Sequence, residues 1–324
     1  MKLLPSFFSI LSFKRSKIWS AELLYLKVME ELFTTNFLDP SILFSELDPN
    51  DIIDYVISSY TVNMSFIHAF YWHPKLRVYC DRAANEAKTI PPDLGYVSYV
   101  APTNGIYHPK FVYITTSTTL RFIITTCNFT GMVLNVTNDF YRLTLKNVRN
   151  PLDNTANRNV QLLEKFFQTY NIAVTRLPSE FNWSNVSGRI LININDYITH
   201  ETLFREYMLG ERFNDVLVQC SAISTKYTDF LELFNATQLW FVYLENYKDF
   251  DKMGIYSFQN AVEKDGVHMI TKRSEVPYHV KRYWLRNEMH EIFILSSANL
   301  TPQAWCKGGL KNIELGIIIE LKKI

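Results

Sequence analysis

The chain has 324 residues, 48% hydrophobic and 20% charged, which is the composition of a folded protein long enough for two domains or one large one. Its 33 basic and 32 acidic residues nearly cancel, so no overall field favours a nucleic-acid partner and any anion site has to be local. Four widely spaced cysteines without a Cys-x-x-Cys pair argue against a zinc site or a dense disulfide framework, and no apolar run reaches the about 18 residues of a membrane span.

In chain order, the opening Met1 to Lys17 combines a lysine, a short apolar run and a basic cluster, but no small-residue cleavage site follows it, and it is not expected to act as a signal. A soluble protein of a reducing compartment is expected. Strand-like apolar runs then recur: Leu76 to Cys80, Lys110 to Thr116, Leu120 to Thr126, Arg189 to Asn193, Asp215 to Cys220, Leu239 to Leu244, Glu291 to Ser297 and Leu315 to Leu321. Between them Val160 to Tyr170 carries apolar residues at helical spacing, and strands alternating with helices predict an α/β protein whose sheets are flanked by helices. Asn147 to Asn159, with proline, asparagine and little apolar content, reads as a loop and divides the chain into expected halves 1–150 and 151–324. The basic stretch Lys272 to Arg286 is expected to be a solvated face, and the Asn-x-Ser/Thr triplets reflect an asparagine-rich chain.

Internal repetition is the most informative feature. Tyr107 to Thr130 reads YHPKFVYITTSTTLRFIITTCNFT and Tyr278 to Thr301 reads YHVKRYWLRNEMHEIFILSSANLT. Each begins Tyr-His-x-Lys and closes on Asn-apolar-Thr. His108 and Asn128 are 20 residues apart, as are His279 and Asn299, and the copies are offset by 171 (279 minus 108). A third His-x-Lys, His73 and Lys75, has Asp93 where the asparagine would fall and is expected to be surface decoration near a strand start.

Because strand side chains alternate faces, each histidine points the same way as the lysine two residues on, and a hairpin returns the asparagine to the same end of the sheet. Each residue alone has an ordinary structural role: histidine at a strand start, lysine at an edge, asparagine as a helix cap. Thr301 before Pro302 does read as a helix start. Matched register across both copies points instead to chemistry. Ammonium, carboxamide and imidazole together bind an anion, and two such sets suit in-line displacement at phosphorus with no metal or other cofactor. One imidazole attacks and forms a phosphoenzyme; the other protonates the leaving oxygen and then takes a proton from water.

These motifs resemble the phospholipase D superfamily and, within it, the tyrosyl-DNA phosphodiesterase family. The general superfamily motif has an aspartate five residues after its lysine; here those positions are Thr115 and Arg286, and the missing acid is a feature of that branch. Ser296 to Trp305, SSANLTPQAW, is similar to the family's second motif, and Asn312 to Ile319 to its closing strand. The resemblance runs from about Leu76 to Ile319 and implies two similar phospholipase D-like halves, each a mixed sheet flanked by helices, with one active site at their pseudo-twofold interface. It implies His108 as nucleophile, His279 as general acid and then base, and Lys110, Lys281, Asn128 and Asn299 as phosphate ligands. Glu314 would support the imidazoles, with a surface charge at a strand start as the plain alternative; the matching position in the first half, usually glutamine, is Asn138, and Ser221 would line the pocket although Ala222 replaces a typical serine.

The activity implied is hydrolysis of 3′-phosphotyrosyl and other 3′-adduct bonds at single- or double-stranded DNA ends, in DNA repair, by a nuclear monomer whose substrate carries a topoisomerase I-derived peptide. Tyr107, Phe129, Tyr278, Tyr283 and Trp305 are available for stacking, though most are expected in the core. The chain is short for the family in its N-terminal extension, its inter-strand insertions and the region after the closing strand, so a different substrate scope is expected. Other readings stay open: a related phosphodiesterase acting on RNA ends or phospholipid, and a non-catalytic nucleic-acid-binding homologue.

Overall fold

The computed structural model describes residues 43–85, 96–103, 105–130, 139–148, 157–220, 228–244, 266–272 and 279–322. The chain separates into the units Met1–Thr34 and Thr35–Ile324, and all described residues belong to the second.

Strands β1 (Ile52–Ser59), β2 (Leu76–Asp81), β3 (Val97–Val100), β4 (Phe111–Thr116), β5 (Thr119–Thr125) and β6 (Phe140–Lys146) form a first sheet in the order β3-β2-β1-β4-β5-β6. Strands β7 (Arg189–Ile192), β8 (Phe213–Cys220), β9 (Ala236–Leu244), β10 (Val267–Lys272), β11 (Lys281–Arg286), β12 (His290–Ser296) and β13 (Leu315–Lys322) form a second, in the order β10-β9-β8-β11-β12-β13-β7. Apart from β7 at its edge, the second sheet repeats the first strand for strand. Parallel pairs β1–β2 and β2–β3 answer to β8–β9 and β9–β10, and the antiparallel run β1–β4–β5–β6 answers to β8–β11–β12–β13. All eight apolar runs named from the sequence are strands.

The hairpins that carry the motifs are in identical register. Phe111 faces Ile124 across β4–β5, and Arg282 faces Leu295 across β11–β12, each residue displaced by the same 171 (282 minus 111, 295 minus 124).

Covered sheets read as continuous apolar runs. In β4, Phe111 and Tyr113 enter a core that reaches both sheets, whereas Val112 and Ile114 enter a second core on the other face of the first sheet. That second core is closed by helix α1 (Met64–Phe70), which contributes Met64, Phe66 and Ile67. Helix α2 (Arg158–Thr169), capped by Asn157, adds Val160, Leu162, Leu163, Phe166 and Phe167 to the shared core. The Phe166 and Phe167 rings meet Phe111 of the first sheet at centroid distances of 6.2 and 6.1 Å. Truncating either phenylalanine to alanine would cost about 3 to 5 kcal/mol.

All four cysteines are free and buried. Tyr107, Phe129, Tyr283 and Trp305 are wholly buried core residues rather than stacking surfaces; Tyr278 lies outside the described residues. The solvated basic face expected over Lys272 to Arg286 fails at Lys281 and Arg282, while residues 273–278 lie outside the described residues. Lys281 and Arg282 are buried, at 0% and 3% exposure, because β11 is an interior strand between β8 and β12. His73 and Lys75 do sit beside a strand start, with His73 bonded to the Pro49 carbonyl and to the Lys75 amide.

Candidate active site

The hairpin geometry assembles each motif. The Thr125 amide donates to the Lys110 carbonyl at 3.0 Å, so β5 returns the chain alongside the start of β4 and delivers Asn128 there. Beyond each asparagine the same tight turn follows: Thr130 N–H donates to Asn128 O at 2.8 Å, and Thr301 N–H to Asn299 O at 2.8 Å. Thr301 then caps helix α3 (Pro302–Trp305), accepting from the Ala304 amide with proline in the first turn, as the sequence predicts. Both asparagine residues are half-buried, and Asn128 Oδ1 has no hydrogen-bond partner.

The two halves hold each other's histidine. His108 belongs to the first, yet its Nδ1 lies 2.8 Å from Oε2 of Glu314, which precedes β13 of the second. The His108 amide also donates to the Ile313 carbonyl at 2.9 Å. His279 belongs to the second, and its Nδ1 donates to the Thr126 carbonyl of the first at 2.8 Å. A carbonyl only accepts, so the proton is on Nδ1 and Nε2 keeps its lone pair. The same follows for His108 beside an ionised Glu314.

Glu314 is ionised for identifiable reasons. Burial pushes its carboxyl up, but His108, Lys110 and the hydrogen bonds from His108 and Ser297 outweigh that and hold it below the usual carboxylate range. The Ser297 hydroxyl donates to Oε2 at 2.5 Å. At 1% exposure Glu314 is no surface charge, which decides between the two roles the sequence left it.

Burial also sets the remaining charges. It pushes the His108 imidazole down to about 4, with Glu314 opposing and Lys110 and Lys281 assisting. His279 is driven well below its ordinary value by burial, then by Lys281, Lys110 and His108. The Lys281 ammonium is lowered to about 8 by burial. Lys110 is lowered by burial and by Lys281. These protonatable groups therefore feel one another, with the buried carboxylates Glu314 and Asp139 also acting on the cluster. Lys110 Nζ donates to the His108 carbonyl at 2.9 Å, and Lys281 Nζ stands 3.3 Å from His279 Nε2. Negative charge brought to this cluster would favour the protonated forms of its lysines and imidazoles.

The structure thus brings together His108, Lys110, His279, Lys281 and Glu314, with Asn128 and Asn299 in matched turns at the same strand ends. Counting two residues back from Gly316, which pairs Ser296, gives Glu314; counting two back from Phe140, which pairs Thr125, gives position 138. Asn138 and Ser221 themselves lie outside the described residues. Several contributors escape sequence reasoning. The Thr126 carbonyl is main chain and leaves no side-chain signal. Ser297 stands inside the SSANL motif but gives no hint of its partner. The Tyr60 ring packs on His108 at 5.0 Å between centroids. His200, buried behind the site, links Asn193 Oδ1 to the Ser296 hydroxyl, each at 2.9 Å.

The doubled mixed sheet, with paired His-x-Lys hairpins meeting at one seam, has the two-lobed fold of solved tyrosyl-DNA phosphodiesterase structures. Among solved structures, the chain is similar to yeast tyrosyl-DNA phosphodiesterase at 12% identity and a TM-score of 0.64, over 85% of this chain and 84% of that one. A histidine-to-arginine variant of the yeast enzyme aligns over 90% and 85% with a TM-score of 0.62 at 12% identity, and a histidine-to-alanine variant over 83% and 82% with 0.60 at 13%. At such identity the likeness is one of fold. No family model matches the chain, and no curated protein matches it.

Proposed function

We propose that the protein is a phosphodiesterase that hydrolyses 3′-phosphotyrosyl and related 3′-adduct bonds at DNA ends through a covalent phosphohistidine. The observation that carries the reading is the crossed support: each imidazole has its Nδ1 proton held by the opposite half, leaving two Nε2 atoms for chemistry. The likeness in fold to yeast tyrosyl-DNA phosphodiesterase supports the choice of substrate.

In this mechanism Lys110, Lys281, Asn128 and Asn299 bind the phosphate oxygens. The negative charge they admit raises the His279 pKa, so that Nε2 acquires a proton as substrate binds. His108 Nε2 attacks phosphorus and forms the P–N bond as the bond to the leaving oxygen breaks. The Nε2 proton of His279 passes to that oxygen. The phosphorylated imidazole is cationic, and Glu314 stabilises it through the Nδ1 hydrogen bond. His279 Nε2 then takes a proton from water, the hydroxide attacks phosphorus, and the P–N bond breaks to leave a 3′-phosphate and neutral His108.

The test is release from a 3′-phosphotyrosyl oligonucleotide in the presence of chelator, by wild type, His108→Ala and His279→Ala. Wild type is expected to release product, His108→Ala to release none, and His279→Ala to accumulate acid-labile phosphohistidine. Turnover of phosphatidylcholine or of RNA ends in preference to the DNA substrate would overturn the assignment. Action on the peptide adduct as a monomer, nuclear location and a division of the halves at 150/151 belong to the same proposal. Mass photometry on the adduct complex, imaging of the tagged chain and mixing of separately expressed halves test them in turn.

A further inference from the structure

Behind Lys281 lies a buried charge cluster that the mechanism above does not use. Arg282, the next residue of β11, directs Nε and Nη2 onto Gln219 Oε1 of β8 at 2.8 and 2.6 Å. Its Nη1 stands 3.6 Å from Oδ1 of Asp139, the residue before β6 in the other half. Asp139 is 0% exposed, and neither of its carboxylate oxygens makes a hydrogen bond, nor do Arg282 Nη1 and Gln219 Nε2. A buried carboxylate held only by an ion pair is costly.

The main chain of Asp139 explains why it is placed there. Its carbonyl accepts from the Thr126 amide at 3.0 Å and its amide donates to the Thr126 hydroxyl at 3.1 Å. Thr126 in turn offers the carbonyl that holds His279 Nδ1. The path His279, Thr126, Asp139, Arg282, Lys281 and back to His279 is therefore a closed ring across the seam.

We propose that Asp139 is a positioning residue for the second half of the site, fixing β11 through Arg282 and the His279-orienting carbonyl through Thr126. Each histidine–lysine pair then has one buried carboxylate from the opposite half behind it: Glu314 for His108 and Lys110, Asp139 for His279 and Lys281. The proposal rests on the phosphate-binding reading above for its purpose, though not for its test. Register gives position 138 as the formal counterpart of Glu314, so the carboxylate has moved one residue along the chain. Burial lowers the Lys281 ammonium, with Cys220, Glu314, Cys127 and Asp139 opposing, and Lys281 in turn lowers Lys110.

The experiment uses the full chain labelled for NMR, with Lys281 assigned by comparison with Lys281→Met. In Asp139→Asn, the Lys281 titration midpoint is expected to fall by about one pH unit, and the His279 ring ¹⁵N shifts are expected to move away from the Nδ1–H pattern. Vanadate affinity at pH 7.5 should fall about threefold, which is the loss of protonated Lys281 that such a shift implies, and Asp139→Glu should restore it. An unchanged Lys281 midpoint with unchanged His279 ring shifts in Asp139→Asn overturns the proposal, whatever happens to its melting temperature. Wild type that fails to bind vanadate counts against the phosphate reading alone, since the two NMR observables need no ligand. Should Asp139→Asn not fold, Arg282→Lys keeps the charge and removes the fork on Gln219; displaced His279 shifts support the proposal there and wild-type shifts overturn it.

Discussion

Replacing Lys281 by methionine is expected to make the protein more stable while removing a proposed phosphate ligand. The ammonium is wholly buried, and burial lowers its pKa from 10.5 to about 8. That difference of about 2.5 pH units corresponds to about 3 kcal/mol of folding free energy at about 1.4 kcal/mol per unit. The sign follows from proton counts. Below pH 8 both folded and unfolded chains carry the proton and the full cost of burying the charge is present. Between about 8 and 10.5 the unfolded chain still binds the proton that the folded one has released, so stability rises with pH. Methionine is close in length and apolar, so it keeps the packing without the charge. The assay is urea unfolding of wild type and Lys281→Met at pH 7.5 and pH 10. The variant should be more stable by about 3 kcal/mol at the lower pH, and the gap should shrink by most of that at the higher one. A variant less stable than wild type at pH 7.5, or a gap that does not change with pH, would refute the reasoning.

Burial also lowers His108 and His200 to about 4, so the folded state favours both neutral imidazoles. Their contribution is complete above about pH 6.5 and lost as pH falls toward 4; at pH 5 each should have cost about 2 kcal/mol, and urea midpoints that stay flat between pH 7 and 5 would contradict this. Glu314→Gln removes the carboxylate that accepts the His108 Nδ1 proton; release from the DNA substrate should drop a hundredfold or more, on the order of a general acid–base contribution, and near-normal turnover would argue against the crossed support. Because burial, and after it the neighbouring lysines, depress both His108 and His279, binding of vanadate or phosphate should take up protons at pH 7.5. Calorimetry in buffers of different ionisation enthalpy reads this directly, and proton release would contradict it.

Much of the fold is legible because its signals are local. Runs such as Phe111 to Ile114 and Leu315 to Ile318 are continuously apolar, since their strands are covered on both faces, and Val160 to Tyr170 has the spacing of a helix with one buried side. The wrong expectation for Lys281 and Arg282 has a related origin: charge composition cannot say that β11 is an interior strand. Glu314 kept a surface charge as the plain alternative to its supporting role until its surroundings were in place.

The sequence by itself determined the doubled His-x-Lys and asparagine pattern, because a shared offset of 171 residues is a property of the chain alone. It also determined that each histidine and its lysine share a strand face, which the period of two imposes on any strand. Only the tertiary structure decided which half supports which histidine. The His108–Glu314 contact spans 206 residues and the His279–Thr126 contact spans 153, and no local periodicity encodes partners so far apart. Protonation states were likewise decided there, because desolvation and neighbouring charge, not residue type, make His108 neutral and Glu314 ionised.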